Sequence, residues 1–167
     1  AAADPPLPDL ATVWDFSRPA VSEQRFRALL ETARGDDRLI LQSQIARTHG
    51  LRRDFIEARR LLDAMTGELP GATPEARARH ALELGRTHAS ATHPQGSVSA
   101  ADAQAARTHF QTAHDLAAAA RLDALAIDAL HMMAFVDTAP ADQLAWARRA
   151  LAAVSYTHLR AHETGRN

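Results

Sequence analysis

The tripeptide Arg-Thr-His occurs three times, at 47–49, 86–88 and 107–109, and supplies the chain's most suggestive chemistry. The planar fork of an arginine bonds both oxygens of a carboxylate at once. Arg47 and Arg86 are therefore candidates for holding a peptide terminus or an acidic side chain; the alternative is that each is solvated or paired with an acid on its own helix. His80, Glu83 and His88 lie partly along one helix, but their spacing is not the His-Glu-x-x-His pattern that places two imidazoles on a zinc ion. No metal and no other cofactor is expected. His49 and His88 read as residues packed between helices with a satisfied ring nitrogen. Met132-Met133 reads as core filling rather than as a soft-metal or adaptable binding surface. The serines near histidines are too scattered for a nucleophile–base–acid triad. There is no phosphate-binding glycine loop and no Gly-x-Ser-x-Gly turn. The expectation is a protein that is not an enzyme.

Composition narrows the classes further. The formal net charge is −1 over 167 residues, with acids and bases well mixed. Such a chain has no electrostatic footprint for nucleic acid. All the permanently charged bases are arginine, which together with the abundant alanine points to a GC-rich coding sequence. The absence of cysteine excludes a disulfide framework, a thiolate zinc site and a cysteine nucleophile. No apolar run is long enough to span a bilayer, so no membrane partner is expected, and a cytoplasmic location is the working assumption.

Helices must position these side chains, because no strand-like alternation occurs anywhere. Residues 1–17 read as a Pro-rich, extended lead-in whose Trp14 and Phe16 cover the end of the first helix. That helix is expected over 19–34, stopped at Gly35, with Asp36 or Asp37 capping the next. Helices follow at 37–49 and 53–66, with a turn at Gly50-Leu51. Thr73-Pro74-Glu75 is a strong start signal for a helix reaching about Ser90. His93-Pro94-Gln95-Gly96-Ser97 breaks the chain. Ser99-x-x-Asp102 then opens a long helix to Ala120, followed by helices at 123–136 and from 140 onward, the last packing through Leu144, Ala147, Leu151 and Trp146. This makes seven helices.

A pattern of small residues recurs along them. It runs Ile45-Ala46, Phe55, Ala58, Leu62, Met65 and Pro70. It returns as Leu84-Gly85, Ala106, Phe110 and Ala113, then more weakly around Ala134, Ala147 and Leu151. Small residues at fixed slots let helix backbones approach closely while larger neighbours fill the space beside them. A helix pair cannot bury its own apolar face, so such units stack.

Over residues 38–153 this pattern resembles the tetratricopeptide repeat (TPR). The departures are Gln42 and Ala81 in the early aromatic slot, His49 and His88 in place of the usual tyrosine, and Met65 where a small residue is usual. The spacing between the equivalent alanines Ala58, Ala106 and Ala147 also exceeds the ~34-residue period of the family. The resemblance implies an all-α fold of antiparallel helix pairs stacked as a short right-handed TPR-like α-solenoid; a generic helix bundle is the alternative. It also implies that Ser43, Arg47, Arg79, Leu82, Arg86, Asp128, His131 and Phe135 line a concave groove. The function so implied is a non-catalytic scaffold that binds a protein or peptide. One alternative is a regulatory segment of a larger bacterial signalling or transcriptional protein. A helical-bundle enzyme using His80, Glu83 or His88 is another.

Residues 154–167 stand apart. Reverse-translated with permitted codons, they resemble the adapter DNA of transposase-based sequencing libraries, so Tyr156, His158 and His162 receive no functional weight. The domain reading is therefore an extended lead-in at 1–17, a truncated helical-repeat domain at 18–153, and a non-native tail at 154–167. A helix left without a successor is expected to promote self-association.

Overall fold

The computed structural model describes residues 5–164 and contains eight α-helices and no strand among them. They are α1 (Leu10–Val13), α2 (Pro19–Leu30), α3 (Gly35–Leu51), α4 (Phe55–Asp63), α5 (Pro74–His88), α6 (Ala100–Ala119), α7 (Asp123–Met132) and α8 (Pro140–Thr164). Short 3-10 turns at Leu69–Gly71 and Met133–Phe135 precede α5 and extend α7. Successive helices pack against one another, and α5 also touches both α3 and α7.

Local chemistry explains most of the boundaries. The side-chain oxygens of Asp54, Thr73 and Ser99 accept the backbone N–H of Glu57, Ala76 and Asp102, satisfying donors that a helix start otherwise leaves open. The acids at 36 and 37 lie in the first turn of α3, where they complement the helix dipole. They do not cap it. The Oδ1 of Asp36 instead accepts the N–H of Thr73, tying α3 to the start of α5 at 3.1 Å. Gly50 and Leu51 belong to α3, and the turn falls at 52–54, where Arg53 adopts φ 64°.

The lead-in is not wholly extended. Asp9 caps a single turn, α1, and Val13 and Trp14 become buried against Phe26, Leu41 and Ile45. Two devices fasten it. The Ser22 hydroxyl accepts from the Asp15 N–H at 2.7 Å and donates to the Asp15 carbonyl at 2.9 Å. The Trp14 indole N–H donates to Gln44 Oε1 at 2.8 Å. Trp14 thus anchors the segment, while Phe16 stacks on it and stays 53% exposed.

The small residues of the first two units of the repeated pattern lie in the core, while Ala134 of the third is half-buried and Ala147 exposed. Ala46, Ala58 and Ala106 are buried. At Gly85 a Cβ atom would stand 2.5 Å from the Phe110 ring, so glycine is what lets α5 and α6 meet at that level. The core then runs on through Ala81, Phe110, Ala129 and the two methionines, both buried.

The last helix presents a different face from the one expected. Leu144 and Leu151 are 52% and 67% exposed, and Ala147 is exposed too; Trp146 is half-buried as expected, and Ala150 is buried. The Trp146 indole N–H donates to Asp137 Oδ2 at 2.6 Å, and Asp137 also pairs with Arg107 of α6. Docking the indole there goes with the rotation of α8 that turns Leu144 and Leu151 outward. The helix continues without a break through Val154 to Thr164, and Arg160 pairs with Asp123.

Candidate functional site

A cavity of about 310 Å³ opens where α3, α5 and α7 meet, closed on one side by the loop after α5. Ala46, Leu51, Ala58, Met132 and Phe135 give its walls an apolar part, and charged and polar side chains make up the rest. Arg47, Arg86, Asp128, His131 and Phe135, all expected in a groove, line it together. They are far apart in sequence and come together because α5 touches both α3 and α7. Ser43, Arg79 and Leu82 lie elsewhere. Ser43 is fully buried, and its hydroxyl donates to the Ile40 carbonyl. Leu82 is in the core, and Arg79 pairs with Glu75 one turn earlier on α5.

The loop that forms the rim has its own framework. The Thr92 hydroxyl donates to the Gly50 carbonyl at 3.0 Å, pinning the loop to the end of α3. His93 stacks on Phe55 with ring centres 4.0 Å apart. A carbonyl can only accept, so the Nε2–H of His93 donates to the Thr87 carbonyl at 3.2 Å. Burial holds the His93 imidazole below its ordinary value despite this contact, so the neutral ring accepts from the Ser90 hydroxyl at Nδ1, 2.9 Å away.

Four charges meet at the cavity. Arg86 donates to Glu83 Oε1 at 2.6 Å and to Asp128 Oδ2 at 2.8 Å, bridging α5 and α7. Burial lowers the Arg86 guanidinium, but Glu83 and Asp128 outweigh it and raise it above its ordinary value. Arg86 is therefore already committed, with its side chain only 12% exposed. Arg47 is not. Burial pushes its guanidinium below the ordinary value, against the pull of Glu83 and Asp128, yet it forms no ion pair and no hydrogen bond among the described residues. The contacts it does make are with the faces of Trp14 and Phe16, 5.4 and 5.0 Å from the ring centres. Glu83 is the counterpart: 3% exposed, with Oε2 lacking any partner.

Comparison with family models, curated proteins and solved structures gives no match. The site must be understood from its own geometry.

Sequence reasoning missed Glu83 as a wall of the cavity, together with Leu51, Ser90 and Thr92. The three-residue step from Glu83 to Arg86 was a legible signal for their pairing. The loop residues carried none. The histidines expected between helices divide. His88 Nδ1 contacts Asp102 at 2.8 Å and its ring stacks on His109. His49 lies 3.6 Å from Glu23 but its Nε2 makes no hydrogen bond, so it is not satisfied as expected. No cluster of three or more His, Asp or Glu side chains suited to a metal occurs among the described residues. No helix among them is long and apolar enough to cross a membrane.

Proposed function

We propose that this chain is a non-catalytic protein- or peptide-binding module. In this reading the helices are antiparallel pairs stacked as a short TPR-like solenoid, with α3, α5 and α7 lining the concave side. The packing of α5 on both α3 and α7 supports that arrangement, as do the buried alanines at 46, 58 and 106. The ligand lies across the three helices, with an apolar side chain in the cavity and a carboxylate on Arg47.

One observation carries the reading: Arg47 is a partly buried cation held against two aromatic rings at the cavity, in no ion pair and no hydrogen bond among the described residues. Removing a charge from water without a partner is costly, so a carboxylate delivered there gains a charge-assisted, bidentate bond. Arg86 does not share this task. Its fork is filled by Glu83 and Asp128, and its role is to hold α5 to α7.

Trp14 provides the readout, since it sits against Arg47. In a Trp146→Phe background, hexapeptides with an apolar last residue should change Trp14 emission saturably. C-terminal amidation and Arg47→Gln should each weaken binding about tenfold, or ~1.4 kcal/mol. Binding unaffected by both changes would remove Arg47 from the site, and no saturable binding by any peptide would remove the function.

A further inference from the structure

The unpartnered Glu83 Oε2 gives the cavity a second polar demand. Glu83 is almost wholly buried and lines the same cavity as Arg47. Its other oxygen is engaged by Arg86. A buried carboxylate oxygen accepts only, and it is satisfied by an N–H or O–H donor. The cavity wall therefore carries an arginine on α3 that makes no hydrogen bond, its Nε buried, and a carboxylate on α5 with one buried oxygen unbonded.

Charge balance selects among ligands. Arg47, Arg86, Glu83 and Asp128 sum to zero. A ligand bringing only a carboxylate leaves an excess negative charge in a poorly solvated place; one bringing a carboxylate and an ammonium leaves none. Size points the same way. About 310 Å³ lies at the lower end of the range for small-molecule sites. That volume suits one or two residues rather than an internal stretch of a longer chain.

We infer that the cavity takes a compact zwitterion, a free amino acid or dipeptide with an apolar side chain, its carboxylate on Arg47 and its ammonium on Glu83. This rests on the reading of the cavity as the ligand groove and narrows its ligand class. The apolar side chain lies against Leu51, Met132 and Phe135, and the rim loop at 90–92 closes over the ligand's backbone.

Calorimetry with leucyl-leucine, its N-acetyl form and its C-terminal amide tests this on the intact chain. The free dipeptide should bind, and acetylation and amidation should each weaken it at least tenfold. Glu83→Gln should abolish the discrimination against the acetylated form while keeping the amidation penalty. The chemical forms of the ligand make the test independent of whether that variant folds. Acetylation without effect overturns the zwitterion assignment and leaves the carboxylate groove standing. So does failure of the dipeptide to bind where hexapeptides bind. Failure of every peptide removes both.

Discussion

At the residue scale, one arginine joins helices while the other lines the cavity without an ion pair among the described residues, although the sequence presents both in the same tripeptide. What separates them is the neighbourhood. Arg86 has an acid three residues before it and another across the helix interface; Arg47 has two aromatic rings from the lead-in. Removing Arg86 strands Glu83 as a buried anion. We therefore expect Arg86→Met to destabilise by ~3–5 kcal/mol, and Glu83→Gln in the same chain to recover most of it. Urea denaturation of the two single variants and the double variant measures the coupling. Additive losses would mean that the pair is not coupled in the folded protein.

The histidines give a pH signature at the same scale. Burial holds His80, His93 and His109 below the ordinary 6.5. The Nε2–H of His80 donates to the Leu62 carbonyl, which fixes the neutral tautomer. Below 6.5 the unfolded chain binds protons that the folded chain resists, so stability is full above that value and falls as the pH drops through it. We expect the melting temperature to decline between pH 7 and pH 5.5, before carboxylates titrate, and His80→Gln to flatten the decline. A melting temperature constant over that interval would show that these rings protonate freely in the folded state.

At the scale of the element, Gly85 decides how closely α5 and α6 approach. Alanine is the better helix former by ~1 kcal/mol. Its methyl group, however, would meet the ring of Phe110, which is fully buried. We expect Gly85→Ala to destabilise by ~1–3 kcal/mol through overpacking, with Phe110→Leu restoring much of it. A stabilised variant would mean that the ring swings aside. This crossing was legible because the Leu84-Gly85 and Phe110 slots encode it. The helix starts at Thr73-Pro74 and Ser99 were legible for the same local reason. The rotation of α8 was not: Leu144, Ala147 and Leu151 have helical spacing, but tertiary contacts, among them the Trp146–Asp137 bond and the Arg160–Asp123 pair, go with the adjacent face. The cavity was legible by half. The resemblance to the tetratricopeptide repeat placed Arg47, Arg86, Asp128, His131 and Phe135 there, and with them Ser43, Arg79 and Leu82, which lie elsewhere; the 90–92 rim depends on how the longer loop folds back onto Gly50.

At the scale of the whole molecule, two surfaces differ in kind. The inner one is the cavity; the outer one is the exposed stripe of Leu144, Leu151 and Leu159 along α8. Contiguous apolar exposure favours association. We expect concentration-dependent self-association by sedimentation, abolished by Leu144→Glu with Leu151→Glu and leaving ligand binding intact. A monomer at all concentrations would contradict this.

The most direct test is a map of backbone amide shifts during titration with a hexapeptide ending in a free apolar residue. Saturable shifts should concentrate at 46–51, 83–92 and 128–135 and vanish in Arg47→Gln. Saturable shifts confined to another surface, or unchanged in that variant, would contradict the assignment of this cavity as the binding site.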